Sequence, residues 1–413
     1  MNHHSTVTAL IGALAVLVAA GAAKAPAAAP APHLQAGAAA VKITPSLTRP
    51  VYIAGYELNR PAESVHDDLW ARALVLDDGK TRMAVVALDL VGVSNQRVAK
   101  FRQRIRSVPQ ENVLIACTHV HSGPDSLGLW GPSFVATGID PLYMDRLSDR
   151  IAAAVDLAAK SLRPVQVSAG VATVPDGLVY NSRESIQDKA LTALRFQAED
   201  GQTVATVINY GGHPEINKSK ALTSDYVGPV RDTVEQRYGG VALFLNGALG
   251  GMVTPKISGH TFEEVERVGR GVGRSAVSAL EHADPVAAEP ITVRRRELRL
   301  PLENDGFKLL SGAHVLDTES KDGTVPTEVW RVDLGPITWV TIPGEILPRP
   351  ALALKAKMPG KYPMIVALGN DELGYILDPE DFDKKRYSYE KSMSVGKKTW
   401  PLLFEAAQDL LKQ

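Results

Sequence analysis

This sequence has a single cysteine, a net charge close to zero and only short apolar runs. The only cysteine among 413 residues is Cys117, so the chain forms no internal disulfide and must be stable through its core alone. The formal net charge is -1, which argues against a nucleic-acid-binding surface. The N-terminal apolar run, residues 9–23, spans about fifteen residues, whereas a membrane-spanning helix needs about 20. With 45% hydrophobic residues, the composition is that of a soluble globular protein.

The N-terminal apolar run has the pattern of a bacterial-type export signal. It is followed by Lys24, Ala25 and a stretch rich in proline and alanine that ends at Pro32. We therefore predict a signal peptide over about residues 1–25 and a tether up to residue 36, which leaves residues 37–413 as a single domain. The protein is expected in the periplasm or secreted. An uncleaved membrane anchor is the alternative.

Apolar runs of strand length alternate with helical patterns along the rest of the chain. Met83–Leu90 and Val113–Cys117 are typical of buried strands, and Pro141–Leu162 carries apolar residues at helical spacing. Residues 303–327 are polar and predict a long surface loop or a minor domain boundary. The whole pattern predicts an α/β fold with mixed sheets flanked by helices. In such folds the active site lies at the carboxyl ends of the strands.

Two histidines directly follow the apolar strand Val113–Cys117. His119 and His121 are two residues apart, so on an extended backbone both imidazoles face the same side. Imidazole is the commonest protein metal ligand and the usual acid or base near neutral pH. Ordinary hydrogen-bonding histidines fit this short motif equally well, so further ligands have to be found elsewhere in the chain.

Three later strands end in polar residues in the same way. His213 follows a pair of glycines, Glu345 follows the apolar run Ile337–Ile342, and Tyr375 follows the run Met364–Leu368. If the carboxyl ends of these strands share one edge, their side chains converge. Two histidines, a carboxylate and an open position form a typical catalytic zinc site. Tyr375 either binds the metal as well or donates a hydrogen bond to an oxyanion.

A glycine-rich turn follows a further apolar strand. Asn246 and Gly247 begin this turn, which runs to Gly251 and is able to approach a ligand closely. It lacks the spacing of either nucleotide-binding loop. We therefore assign Asn246 and Gly247 to substrate binding.

Six motifs in a fixed order resemble the zinc-hydrolase domain of the neutral, non-lysosomal ceramidase family. They are THVHSGP, GGHP, SDYVGP, NGALGG, PGE and GNDELGY. The resemblance runs from about residue 37 to the C-terminus and implies Zn²⁺ as the cofactor. The metal ligands that it implies are His119, His213, Glu345 and Tyr375.

The same resemblance implies roles for residues around the metal. His121 would transfer protons, and Tyr389 or Tyr387 would contact the substrate or stabilise the oxyanion. Arg183 would contact the substrate. Where the family's turn carries a serine, this chain has Thr254, which favours water as the nucleophile.

The resemblance implies an exported zinc-dependent hydrolase that cleaves the amide bond of a small-molecule or lipid N-acyl substrate. An esterase or deacetylase acting on a carbohydrate or another polar acyl compound is an alternative, because the same zinc chemistry cleaves esters. A metal-dependent amidohydrolase barrel and a non-catalytic ligand-binding protein of the same fold are the others. No nucleic-acid partner is expected. Any membrane contact is confined to the signal or to a lipid substrate, and the oligomeric state is left unassigned.

Overall fold

The computed structural model describes Met1 and residues 34–413. The predicted signal peptide and most of the tether fall in residues 2–33, outside the described part. The strands are β1 (Gln35–Lys42), β2 (Ser64–Val65), β3 (Trp70–Asp77), β4 (Arg82–Leu88), β5 (Val113–Cys117), β6 (Arg163–Thr173), β7 (Val179–Asn181), β8 (Ala190–Ala198), β9 (Thr203–Tyr210), β10 (Ala221–Leu222), β11 (Val241–Asn246), β12 (Val253–Pro255), β13 (Asp284–Val286), β14 (Ile291–Pro301), β15 (Thr324–Leu334), β16 (Ile337–Ile342), β17 (Glu345–Ile346), β18 (Tyr362–Ala367) and β19 (Tyr375–Ile376). The helices are α1 (Asn95–Arg104), α2 (Pro141–Lys160), α3 (Val227–Tyr238), α4 (Phe262–Glu281), α5 (Asp305–Gly312), α6 (Pro348–Lys355), α7 (Ser388–Ser392) and α8 (Thr399–Leu411). Within residues 34–413, no helix combines the length and the apolar character that crossing a membrane requires.

A nine-stranded mixed sheet forms the centre of the described part. Its strand order is β11-β9-β8-β6-β1-β3-β4-β5, and β13 pairs with β6 beside this path. The β4/β5 and β9/β11 pairs are parallel and the other pairs are antiparallel. The strands β5 and β9, which precede the predicted histidine ligands, both belong to this sheet. The predicted α/β fold with mixed sheets is therefore confirmed.

A second sheet, in the order β14-β15-β16-β18, packs on one face of the large sheet. Strand β4 shows how the two sheets pack together. Its side chains point alternately to the two faces of the large sheet, and each face has its own core. Val85 shares a buried core with Trp330 and Trp339 of the second sheet. The next residues in alternation, Val86 and Leu88, belong to the core on the opposite face.

Helices cover the outer faces of both sheets. Helix α2 begins at the N-cap Asp140, whose side chain accepts a hydrogen bond from the backbone of Leu142. Its apolar stripe, Leu147, Ile151 and Val155, is buried against β1 and β3. Helices α3 and α4 pack on each other over the other half of the large sheet, and α8 covers β14 and β15. The layers therefore run helix, sheet, sheet, helix.

A buried ion pair joins the end of β4 to α3. Asp89 accepts hydrogen bonds from both terminal nitrogens of Arg231, at 2.7 and 2.9 Å. The two side chains are 0% and 1% exposed. Asp89 also accepts from the backbone nitrogen of Trp70, at 2.9 Å. The carboxylate in this apolar run is therefore paired, as a buried charge has to be.

The long surface loop predicted for residues 303–327 is wrong. Asn304 accepts a hydrogen bond from the backbone of Phe307 and so caps α5 (Asp305–Gly312). Phe307 is buried, and the chain then enters β15 at Thr324. Phe307, Leu316 and Val325 of this segment are buried and line a pocket beside His119 and His121.

Candidate metal centre

His119 and His121 lie in a turn that leaves strand β5. The strand ends at Cys117, and His119 has a φ of 69°, in the left-handed region. Such a conformation costs a non-glycine residue of order 1–3 kcal/mol. The two imidazoles nevertheless meet, with ring centroids 4.8 Å apart. The predicted pairing is present, but the turn produces it rather than the extended backbone that the sequence suggested.

His213 approaches the same point from the end of β9. Asn246 holds the two histidine-bearing ends together, because its side-chain nitrogen donates to the carbonyls of Thr118, at 2.9 Å, and Gly212, at 3.1 Å. Asn246 is fully buried, and Gly247 donates its backbone N–H to Tyr210. Both residues thus lie beneath the histidines. There they position the strand ends.

Glu345 reaches the histidines from a short two-stranded sheet that follows β16 and β18 of the second sheet. It opens β17, which pairs with β19 in parallel so that Glu345 stands opposite Tyr375. Its Oε2 atom lies 2.8 Å from His213 Nε2 and 3.4 Å from His119 Nε2. The glycine-rich turn packs tightly here, since a Cβ on Gly250 would lie 2.2 Å from the Glu345 carbonyl oxygen. The close approach of this turn is therefore to the protein's own backbone.

The orientation of the imidazoles fits a metal ion. The Nδ1 atoms of His119 and His213 bond to the carbonyls of Val91, at 2.6 Å, and Val253, at 3.1 Å, which turns both Nε2 atoms toward Glu345. Ligand atoms of His119, His121 and His213 all lie within 4.8 Å of one another. Backbone carbonyls that fix the ring tautomer are the usual outer partners of zinc-binding histidines. Two imidazoles and a carboxylate are also zinc's preferred donor types.

Charges inside this buried cluster shift its pKa values strongly. Burial lowers the pKa of His213, but the hydrogen bond to Glu345 and the negative charges of Glu215 and Glu345 outweigh it and raise the pKa to about 9. Burial raises the pKa of Glu345, yet His119 and His213 hold it well below its usual range. Burial and the two neighbouring histidines lower the pKa of His121 well below its usual value. At neutral pH the metal-free centre therefore keeps a proton on His213, and His121 is neutral.

We expect the affinity of the metal-free protein for Zn²⁺ to rise as the pH is raised from 7 to 9. A ligand must be deprotonated to bind metal, and His213 keeps its proton until the pH reaches its pKa of about 9. Each pH unit well below that pKa costs about a factor of ten, and half of His213 is still protonated at pH 9, so the gain from pH 7 to pH 9 is about fiftyfold. Competition titrations against a chelator, corrected for the chelator's own protonation, measure this gain. A constant affinity above pH 7 would contradict it.

The three tyrosines predicted for the site differ in their exposure and in their distance from the histidines. Tyr375 is 4% exposed, and its ring centroid lies 6.4 Å from that of His213. Tyr389 is 50% exposed, with its ring 5.9 Å from that of Tyr375, so it stands at the mouth of the site. Tyr387 is fully buried in a small apolar cluster behind Tyr375. Of the two candidates in the RYSYE segment, Tyr389 is thus the one beside the centre.

Arg183 contacts the site only through Glu390, the residue that follows Tyr389. Its Nε donates to Glu390 at 2.6 Å, and Glu390 is fully buried next to Tyr389 in the chain. The side chain of Arg183 lines neither of the two openings described below. Its contact is with the helix that carries Tyr389, so it positions that tyrosine.

Glu215 and Tyr56 surround His121, and sequence reasoning missed both. A carboxylate oxygen of Glu215 lies 3.7 Å from His121 Nδ1, and the other accepts a hydrogen bond from Thr254 at 2.6 Å. The Tyr56 hydroxyl donates to the backbone carbonyl of Glu215, and its ring meets the His121 ring edge-on at 5.4 Å. The one available signal was that Glu215 lies two residues after His213. Nothing in the segment around Tyr56 marks it.

The centre opens on two sides. One opening, the apolar pocket, is narrow, with a cavity volume of about 50 Å³. Its walls include Leu127, Leu302, Phe307, Leu316, Val325, Leu373, Met393 and Val395. The other opening, the polar cleft, is wider, with a volume of about 510 Å³, and its walls include Tyr56, Tyr180, Glu215, Lys218, Thr254, Lys256 and His260. His121 and Tyr389 line both openings.

Comparison with known proteins agrees with the motifs and the fold. Residues 35–261 match the family model described as neutral/alkaline non-lysosomal ceramidase, N-terminal. The structure of neutral ceramidase from Pseudomonas aeruginosa matches with a TM-score of 0.78 and 15% identity, over 93% of this chain and 75% of that chain. A structure described as ceramidase complexed with C2 matches with a TM-score of 0.78 and 15% identity, over 92% of this chain and 76% of that one. These two structures share the fold, and the family model covers more than half of the 413 residues. The chain belongs to the neutral/alkaline non-lysosomal ceramidase family.

Proposed function

We propose that this protein is an exported zinc-dependent hydrolase that cleaves the amide bond of an N-acyl substrate. The observation that carries the proposal is the apolar pocket, which ends at His119, His121 and Glu345. Its aliphatic and aromatic walls suit a hydrocarbon chain, whose burial contributes about 0.8 kcal/mol per CH₂ group. An acyl chain lying in the pocket brings its carbonyl to the histidines. Membership of the ceramidase family supports the same substrate class.

Each polar residue of the centre has a role in this reaction. His119, His213, Glu345 and Tyr375 would hold the zinc ion. Bound zinc supplies Lewis acidity toward the carbonyl and toward water. His121 is neutral at pH 7, and its Nδ1 has no hydrogen-bond partner among the described residues. It is therefore free to take a proton from water and to pass it to the leaving nitrogen.

Cleavage of esters is the second candidate, because the same residues would attack an ester carbonyl. The aliphatic and aromatic side chains that line the apolar pocket favour a hydrocarbon chain over an acetyl group. The aliphatic side chains of Leu302 and Val325 would offer no hydrogen bonds to the polar substrate of a carbohydrate deacetylase. We therefore place a long-chain amide first.

The test is metal content together with hydrolysis, measured on the purified protein. We expect near-stoichiometric zinc and cleavage of N-dodecanoyl amides that a chelator abolishes and added zinc restores. Acetyl amides and acetyl esters of the same alcohols and amines serve as controls for chain length and bond type. Cleavage restricted to acetyl esters would replace the proposal with the esterase, and cleavage that survives full zinc removal would refute it.

The Tyr389→Phe variant is expected to lose about a hundredfold in kcat with little change in KM. A hydroxyl that donates to a developing oxyanion acts in the transition state, and loss of one such donor typically costs about 10² to 10³ in kcat. Tyr387→Phe is the matched control, because the Tyr387 ring is buried away from both openings. Steady-state kinetics of the two variants decide the assignment. An unchanged kcat in Tyr389→Phe, or an equal loss in both variants, would contradict it.

A further inference from the structure

The two openings meet at the reacting centre. The apolar pocket and the polar cleft share four wall residues: Gly55, His121, Tyr375 and Tyr389. Gly55 lies directly against the His121 ring, since a Cβ there would be 2.3 Å from His121 Cγ. A bond cleaved beside His121 therefore has one half of the substrate in each opening. The side chains that line the polar cleft therefore indicate the chemistry of the amine half of the substrate.

The walls of the polar cleft carry charged and polar groups that the apolar pocket has fewer of. Beside the apolar side chains of Met252, Pro255 and Ile257 they present two phenol rings, an imidazole and two ammonium groups, from Tyr56, Tyr180, His260, Lys218 and Lys256. A second hydrocarbon chain laid along this surface would desolvate charged groups and offer them no partner. A substrate with two long chains therefore fits the apolar pocket with one chain only.

The charge that the polar cleft offers to a ligand is positive. Within residues 34–413, neither Lys218 nor Lys256 forms an ion pair or donates a side-chain hydrogen bond, whereas the nearby Lys220 pairs with Glu63 at 2.6 Å. The Lys218 ammonium lies 4.9 Å from the centre of the Tyr56 ring. The one carboxylate of the cleft, Glu215, already accepts from Thr254 and faces His121. Two unpaired cations thus remain for the substrate.

From this asymmetry we infer that the natural substrate is a single-chain N-acyl conjugate whose amine half carries an anionic group, a carboxylate or a phosphate. The inference rests on the proposed amide hydrolysis and adds the chemical class of the leaving amine. Water adds its oxygen to the acyl carbon, the C–N bond breaks, and the nitrogen takes the proton. The fatty acid leaves from the apolar pocket and the anionic amine from the polar cleft, beside Lys218 and Lys256.

The experiment compares four amides of the same dodecanoyl chain with the zinc-loaded protein. They are N-dodecanoylglycine, N-dodecanoylphosphoethanolamine, the neutral N-dodecanoylethanolamine and the two-chain N-dodecanoylsphingosine. We expect kcat/KM to be about tenfold higher for at least one anionic amide than for the neutral one, and the glycine and phosphate arms tell carboxylate from phosphate. The preference should shrink in high salt, because exposed charges are screened.

Lysine variants connect that preference to the polar cleft. Lys218→Met and Lys256→Met should each raise KM for the preferred anionic amide about three- to fivefold more than KM for the neutral amide, as expected for an exposed charge pair. Lys220→Met is the control outside the cleft. A preference for the sphingosine amide, or equal rates that the lysine variants do not alter, would overturn the inference while amide hydrolysis stands. Failure to cleave any of the four amides would refute the proposed function and this inference with it.

Discussion

The His213→Ala variant is expected to lose bound zinc and hydrolase activity together while its fold persists. The His213 side chain is fully buried, and its Nε2 lies 2.8 Å from Glu345. Without it, Glu345 keeps only His119, at 3.4 Å, and one of the donors that converge on the metal position is missing. Losing an outer partner of a zinc ligand costs roughly 10- to 100-fold in metal affinity or activity, and loss of the ligand itself should exceed this.

Three measurements are needed on this variant: zinc content after dialysis, kcat/KM, and near-ultraviolet circular dichroism. His282→Ala is the matched control, since His282 is an exposed histidine at the end of α4 that bonds only to the Ser278 carbonyl. We expect the control to retain metal and activity. Full activity in His213→Ala would remove this residue from the centre, and an unfolded variant would move the test to His213→Gln.

The Asp89→Ala variant is expected to lower the free energy of unfolding by about 3–5 kcal/mol, the usual result of breaking a buried ion pair. Arg231 is 1% exposed, so its charge would remain in the interior without its partner. The backbone N–H of Trp70 would lose its acceptor as well. Asp89 lines neither opening, but it also accepts a hydrogen bond from Thr118 Oγ1, at 3.3 Å, directly before His119. Activity is therefore compared at a temperature at which both proteins are fully folded.

Urea unfolding of the wild type and the variant measures this loss. Glu266→Ala is the control, because its pair with Arg270 is exposed by 49% and 43%, and such pairs contribute about 0–1 kcal/mol. Asp89→Leu combined with Arg231→Met should recover part of the loss, since no charge then stays buried. A loss below about 1 kcal/mol in Asp89→Ala would mean that Arg231 finds another partner or water.

Local sequence patterns sufficed wherever a strand is apolar throughout. The run Ile337–Ile342 coincides with β16, and Val113–Cys117 coincides with β5. Polar side chains that follow such strands do meet, as Glu345 does with His119 and His213. The strands that carry them are not neighbours, however, since β5 and β9 lie far apart in the large sheet and β16 belongs to the second sheet. The helices at Pro141 and Phe262 began where a cap or a proline marks the first turn.

Prediction from the sequence failed where the role of a residue depends on a partner that is distant in the chain. Strand β15 was missed because Glu328 interrupts its apolar pattern, yet Glu328 is 3% exposed and pairs with Arg102 at 2.7 Å. More than two hundred positions separate these two residues in the sequence. Tyr56 is a site residue only because its chain segment folds over His121. Contacts of this kind leave no local signal.

The contribution of both sheets to one centre has a consequence for how the chain folds. His119 and His213 follow strands of the large sheet, whereas Glu345 and Tyr375 follow strands of the second sheet. The ligand group is therefore incomplete until the last quarter of the chain has docked on the first half. A metal bound there would require both sheets to be packed together, and it would stabilise the native state by mass action. The rate of zinc uptake during refolding would thus report when the two sheets pack against each other.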